Sequence, residues 1–220
     1  MDHSFWHDRW ESGRIGFHEG RPNRLLVTHF PALKVPDGGR VFVPLCGKTL
    51  DIGWVLSRGH KVVGVELSDL AIRQLFEELG VDPAISDMGA LKRYSATDIE
   101  IFVGDILALT PRMLGPVEAV YDRAALVALP EGMRAAYAAH LVDLTDAAPQ
   151  LLVCFQYHQR LQNGPPFSIA PDEVHLHYSR DYEIRELARE NLAGGLKGIP
   201  AWESVWLLSP RAAKRLQTRR

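Results

Sequence analysis

From Arg40 onward, short apolar runs alternate with longer amphipathic stretches. RVFVPL opens the pattern, TLDIGWVLSRG reads as a helix, KVVGVEL is a β-branched run, and SDLAIRQLFEELG is an amphipathic helix with Ser68 as its N-cap. The alternation continues through IEIFVGD (99–105), AVYDR (119–123), the helix PEGMRAAYAAHLVDLT (130–145) and QLLVCFQY (150–157). Strands apolar at successive positions, rather than at every second one, are buried on both faces. The pattern therefore predicts an α/β fold with a parallel sheet covered by helices. Beyond a Gly-Pro-Pro loop come PDEVHLHYS, YEIRELARE and AWESVWLLS, of which the last two are expected to pair as antiparallel strands at the sheet edge. Ahead of Arg40, SFWHDRWES predicts a short helix capped by Ser4 and broken by Gly13 and Gly16, and RLLVTHFPALK predicts a second.

Composition narrows the class. A chain of 220 residues, 46% of them hydrophobic, can bury one ordinary core, so one domain is expected over 1–220. A formal net charge of -2 gives no general attraction to nucleic acid or to an anionic membrane, and neither is expected as a partner. No apolar run approaches the roughly 20 residues of a membrane span. The N-terminus is polar and aromatic rather than basic then apolar, which reads as a non-exported, cytoplasmic protein. Cys46 and Cys154 lie far apart in a chain too long to need a disulfide, so both are expected as reduced thiols. The basic end RAAKRLQTRR reads as a solvated tail.

The chemistry begins at VFVPLCGKTLD (41–51). Gly47, Lys48 and Thr49 imitate the end of a phosphate loop, but Phe42 stands where the first glycine belongs. Pro44 has no N–H to offer a phosphate. AVYDR could imitate the apolar strand whose aspartate holds Mg²⁺, yet the loop itself fails the comparison. A nucleoside without a phosphate chain fits the same position, at the C-terminal edge of a parallel sheet, and demands an acid after the second strand. KVVGVE supplies Glu66, about twenty residues beyond Gly47, the distance at which a carboxylate accepts from both ribose hydroxyls. The third strand ends in VGDI, and Asp105 there is placed to accept from an adenine amino group. One glycine where a dinucleotide fingerprint wants three argues against NAD and FAD. S-adenosylmethionine, with a ribose, an adenine, a sulfonium and no phosphate, is the remaining prominent ligand.

Other constellations are weaker. Cys46 near a helix N-terminus would suit a nucleophile, but no orienting His and acid accompany it, and packing in a tight loop is the better reading. His3 with His7, and His175 with His177, have helical spacing for a shared metal yet lack a third ligand, so no metal is expected. Arg123 either meets a carboxylate of the ligand or pairs with neighbouring Asp122.

Four segments carry a family resemblance: FWHDRWESGRIGFHE (5–19), RVFVPLCGKTLDIGWVLSRGHKVVGVELS (40–68), YDRAALVAL (121–129) and GPPF (164–167). In this order they resemble the bacterial thiopurine S-methyltransferases, class I S-adenosylmethionine-dependent enzymes. The resemblance implies a Rossmann-like, seven-stranded, mostly parallel sheet with helices on both faces and an antiparallel edge strand. Residues 1–39 are implied to form an N-terminal helical lid. Cofactor contacts implied by the same resemblance are Trp10, Leu45, Glu66, Ile106 and Arg123, with Ile106 lining the adenine beside Asp105. Phe17 and Phe167 are implied on the acceptor side. FQYHQ at the end of the fifth strand puts Gln156 and His158 near that pocket, and NLAGGLKG offers no arginine to it. The implied activity is methyl transfer to thiopurines or other aromatic and heterocyclic thiols. No catalytic residue is assigned, because a neutral thioether leaves without protonation. Selenium or tellurium oxyanions are the alternative acceptors, and a non-catalytic S-adenosylmethionine-binding module is the alternative of another class. A monomer with a small-molecule thiol or metalloid acceptor is expected.

Overall fold

A computed structural model describes residues 3–211. The basic tail expected to be solvated lies outside the described residues, apart from Arg211. In chain order the elements are α1 (His3–Glu11), α2 (Arg24–His29), β1 (Arg40–Pro44), α3 (Leu50–Ser57), β2 (Lys61–Glu66), α4 (Asp69–Leu79), β3 (Ala84–Asp87), β4 (Lys92–Ala96), β5 (Ile99–Val103), α5 (Pro111–Leu114), β6 (Ala119–Arg123), α6 (Glu131–Leu144), β7 (Gln150–Tyr157), α7 (Pro171–Tyr178), β8 (Tyr182–Asn191) and β9 (Ala201–Pro210). Among the described residues no helix is long and apolar enough to cross a membrane.

One mixed sheet of nine strands organises these elements, in the order β3-β4-β5-β2-β1-β6-β7-β9-β8. Strands β5, β2, β1, β6 and β7 are mutually parallel, as the unbroken apolar runs predict. The expected count of seven strands is exceeded by the β3–β4 hairpin, which continues the sheet antiparallel beyond β5. β8 and β9 pair antiparallel as expected, but β9 is no edge strand. It is inserted between β7 and β8 and is antiparallel to both, because the hairpin folds back before it docks.

The alternation of side chains sorts the strand residues to two faces. Phe42, Val63, Val65, Phe102, Val120 and Leu152 join one core with Tyr137, Leu141 and Leu144 of α6 and Val174 and Tyr178 of α7. Val41, Val43, Val62, Ile101, Tyr121 and Leu151 join the other, with Leu25 and Leu26 of α2, Ile52 and Val55 of α3, and Ile72, Leu75 and Phe76 of α4. Each such side chain contributes about 1.5–3 kcal/mol by leaving water, so the doubly covered centre is fixed far more firmly than the hairpin at β3. Gly64 in β2 is required by that packing. A Cβ there would meet Ile101 Cδ1 at 2.8 Å and Cys46 Sγ at 3.0 Å.

Caps set the helix starts beside the sheet edge. Ser68 accepts from the Ala71 N–H at the start of α4, and Thr49 accepts from the Asp51 N–H at the start of α3. The expected cap Ser4 lies instead inside the first turn of α1, which begins at His3. RLLVTHFPALK divides into α2 and a 3₁₀ turn, Phe30–Leu33, because Pro31 interrupts the α-helical ladder.

Candidate active site

The C-terminal ends of β1, β2, β5, β6 and β7 open on one side of the sheet, and residues 3–19 close over them. Between them lies a cavity of about 570 Å³, within the ordinary range for ligand pockets of ~300–1,000 Å³. Its wall includes Trp10, Phe17, Leu45, Glu66, Asp105, Ile106 and Arg123, seven of the residues singled out from sequence. Phe167 is not on this wall. Its ring packs 5.3 Å from the Arg134 guanidinium in a neighbouring depression, while Pro165 and Pro166 of the same loop face the cavity. Neither Gln156 nor His158 lines the cavity, since the strand alternation turns Phe155 toward it instead. NLAGGLKG contributes Leu192, Leu196 and Lys197 to the rim.

The loop after β1 spends its donors within the protein rather than on a phosphate cradle. Its Cys46 N–H donates to the Val65 carbonyl at 3.0 Å, and its Thr49 N–H donates to the Cys46 carbonyl at 3.2 Å. The Gly47 N–H donates to Glu66 Oε2 at 2.8 Å. Lys48 turns away to Glu78, with Nζ to Oε1 at 2.6 Å. The donors of a phosphate cradle are thus engaged within the protein. Gly47 has φ +50°, and a Cβ there would lie 3.0 Å from the Trp10 ring, so glycine lets the loop and α1 approach. Leu45 and Ala124, directly after β1 and β6, also hold left-handed φ values of 46° and 66°. Such strain, of order 1–3 kcal/mol each, gathers where a site requires it.

Glu66 is held by the backbone from two sides. Besides Gly47, the Ser68 N–H donates to its Oε1 at 2.9 Å. Burial pushes its carboxyl above the ordinary value, while the N–H groups of Ser68, Gly47 and Leu67 hold it down. Each oxygen accepts one backbone bond and keeps lone-pair capacity facing the cavity. The bond from Ser68 N–H also braces the start of α4.

Arg123 is held by the N-terminal segment rather than by its neighbour. One guanidinium nitrogen donates to the Phe17 carbonyl at 3.2 Å and another is ion-paired with Glu19. Asp122, the partner considered from sequence, points into the core, where it accepts from Tyr137 Oη at 2.7 Å and from the Leu126 N–H at 3.3 Å. Burial raises the Asp122 carboxyl to about 6, and its position also removes it as a metal-binding acid beside the loop. Glu19 further accepts from Asn23 Nδ2 at 3.2 Å. The Asn23 N–H donates to Asp51 Oδ1 at 2.6 Å, and Tyr121 Oη donates to Asp51 Oδ2 at 2.9 Å. A continuous polar chain therefore ties the N-terminal segment to α3 and β6. Above it, Phe17 meets Trp10 and Trp6 edge to face, at 5.5 Å and 5.7 Å between centroids.

At the other end Asp105 caps a 3₁₀ turn through the Leu107 N–H at 2.9 Å and stands 3.4 Å from His3 Nε2 of α1. Cys46 is buried, and its thiol is pushed well up by desolvation and by the Glu66 charge, which removes the nucleophile reading. His177 sits 3.3 Å from Glu173 and His175 meets the Trp206 ring. Among the described residues no group of three or more His, Cys, Asp or Glu side chains is placed to hold a metal ion.

Sequence reasoning missed Glu19, Asn23, Asp51, Tyr121 and Glu203. Glu19 and Asp51 lie inside motif segments that were recognised, FHE and TLD, but their partners are brought in by the fold. Glu203, on β9, reaches the wall only because that strand runs against its neighbours.

A family model described as thiopurine S-methyltransferase matches residues 1–203. A thiopurine S-methyltransferase of Xanthobacter autotrophicus is 58% identical over 210 residues, 94% of this chain and 99% of the relative. One of Teredinibacter turnerae is 52% identical over 210 residues, 95% and 98% of the two chains. Among solved structures, an S-adenosylmethionine-dependent methyltransferase of Anabaena variabilis superposes with a TM-score of 0.66 at 14% identity, covering 95% of each chain. Magnesium protoporphyrin IX methyltransferase of Synechocystis, with bound S-adenosylhomocysteine, gives a TM-score of 0.64 at 14% identity, covering 95% of this chain and 100% of that one. The structural matches establish the class I methyltransferase fold.

Proposed function

The chain belongs to the thiopurine S-methyltransferase family, and from that premise we propose how its residues carry out S-adenosylmethionine-dependent methyl transfer to the sulfur of aromatic and heterocyclic thiols. The observation that carries the reading is the lock between Gly47 and Glu66. It closes the loop against phosphate and leaves a backbone-braced carboxylate for the ribose hydroxyls. Asp105 and Ile106 hold the adenine at the end of β5. Trp10 and Leu45 enclose the amino-acid end, and Arg123 faces its carboxylate from the end of β6. When bound, S-adenosylmethionine supplies an electrophilic methyl group on a sulfonium that becomes a neutral thioether.

The protein's own part is then alignment and exclusion of water. A near-attack approach of about 3–3.5 Å accounts for much of the acceleration in such a displacement. Residues 1–39 act as the lid of a single 1–220 domain. Phe17, Phe155 and the Pro165-Pro166 loop give the acceptor ring an apolar slot, with Phe167 behind it packed on Arg134. The net charge of -2 supports a protein without a nucleic-acid partner, the two free cysteines support a reducing cytoplasm, and the chain acts as a monomer.

A transfer assay with labelled S-adenosylmethionine tests the reading on thiopurine, thiophenol, selenite, tellurite and a blank without acceptor. Label is expected in the thiols. Label in selenite or tellurite alone, or tight cofactor binding with no acceptor turned over, refutes it.

A further inference from the structure

The acids on the cavity wall differ in one respect. Glu66 accepts from two backbone N–H groups, Glu19 is occupied by Arg123 and Asn23, Asp51 by Asn23 and Tyr121, and Asp105 by Leu107. Among the described residues Glu203 alone of the five accepts no hydrogen bond, although it is partly buried and its strand partner Phe155 lines the same cavity. A half-buried carboxylate that opens onto the cavity with no protein donor is placed to meet a donor on the ligand.

Its place along the sheet says which ligand. Glu66 ends β2 and Glu203 opens β9, four strand positions away, a separation of about 19 Å at ~4.8 Å per strand. A ribose held on β2 puts the amino-acid tail over β1 and β6, so the space over β7 and β9 belongs to the methyl acceptor. The charges facing Glu203 are Arg123 and Glu19 within the cavity and the Arg24–Glu190 pair on its outer side, with Lys197 on the rim. Burial raises the Glu203 carboxyl, against the opposing pull of Arg123, which makes it a better proton acceptor than a solvated glutamate.

We propose that Glu203 receives the proton of a neutral thiol acceptor as its sulfur is methylated. The S–H bond breaks, with its proton passing to the carboxylate and its electron pair staying on sulfur. That sulfur forms the new bond to the methyl carbon while the carbon–sulfonium bond breaks, and its electron pair leaves the product thioether uncharged. Glu203 then releases the proton to solvent, so one proton is produced per transfer. An acceptor already ionised in solution does not need the residue.

This inference rests on the thiol-methylating reading, and its test separates the two. Glu203→Gln keeps the shape and removes the basicity. The variant and the wild type are compared on an electron-poor aryl thiol, ionised at neutral pH, and on benzyl thiol, which is not. The expected result is a loss of about 100-fold in kcat/KM on benzyl thiol, the scale of a general base, with less than twofold change on the ionised thiol and unchanged Tm. A second readout is the pH dependence: on benzyl thiol an acidic limb of kcat/KM set by the Glu203 carboxyl is expected with the wild type and none with the variant. Equal losses on both thiols, no loss on either, or an acidic limb that survives the substitution overturns the proposal. So does transfer of the whole effect to His18→Gln, since His18 lies on the same wall. A wild type that methylates no thiol at all sinks the family-based reading instead.

Discussion

Replacing Glu66 by glutamine isolates the contact on which cofactor recognition is proposed to rest. The carboxylate accepts from Gly47 N–H at 2.8 Å and from Ser68 N–H at 2.9 Å, through different oxygens. Whichever way a glutamine amide is turned, its NH₂ group opposes one of those N–H donors. The buried donor left without a partner costs about 1–3 kcal/mol, partly offset by removal of a desolvated charge. At about 2–4 °C per kcal/mol for a chain of this size, the ligand-free protein should melt a few degrees lower. Binding suffers separately. Two ribose hydroxyls donating to a carboxylate are each worth about 1.5–3 kcal/mol, and the amide keeps one weaker acceptor. A net loss of about 3 kcal/mol is about 100-fold in Kd. Calorimetry with S-adenosylhomocysteine and its 2′- and 3′-deoxy analogues resolves the two effects. The wild type should lose affinity for each deoxy compound, the variant should scarcely distinguish them, and the cycle should return a coupling above about 1 kcal/mol. Affinity of the variant within threefold of the wild type, or a deoxy penalty that persists in it, would show that Glu66 braces α4 and does not hold the sugar.

Arg123→Met and Glu19→Gln should each lower turnover severalfold and expose residues 3–20 to limited proteolysis, and the double variant should be no worse than either, since the two side chains form one ion pair. Additive losses would separate their roles. Gly47→Ala should cost about 1–2 kcal/mol, because φ is +50° and the new methyl group meets the Trp10 ring at 3.0 Å; a denaturant midpoint equal to the wild type would refute that contact. Asp122 has a folded value raised from 3.8 to about 6, so the native state holds the proton more tightly and stability falls as pH rises from about 4 to 6. Asp122→Asn, which keeps an acceptor for Tyr137, should gain on the wild type by up to about 3 kcal/mol as pH increases through that window, and a pH-independent difference in urea unfolding would contradict the assignment.

What the chain disclosed in advance was what is local or periodic. The runs at 41–44 and 62–66 are apolar at nearly every position because helices cover both faces of β1 and β2. Ser68 sits where an N-cap belongs, and the span from Gly47 to Glu66 fits one strand–helix–strand unit, so the acid proposed for the ribose could be found by counting. The hairpin β3–β4 escaped notice because β3 is exposed along almost its whole length and so has no hydrophobic signature. It exists through pairing, with Asp87 Oδ1 accepting from Gly89 N–H in its turn. Glu19 and Arg123 are 104 residues apart, and no spacing rule joins them. The position of β9 was equally hidden, because the pattern of a strand records its burial and not its neighbours.

The reversed course of β9 separates two kinds of change that enzymes of this shape must keep apart. Parallel strands deliver their last residues to the catalytic edge, so altering them disturbs whatever grips the nucleoside. β8 and β9 instead bring the tip of a hairpin there, from Leu192 to Glu203, fastened to the rest through β7 and open at its outer side. That tip is a natural cassette: exchanging it between relatives should retune the choice of methyl acceptor while leaving the grip on the donor untouched.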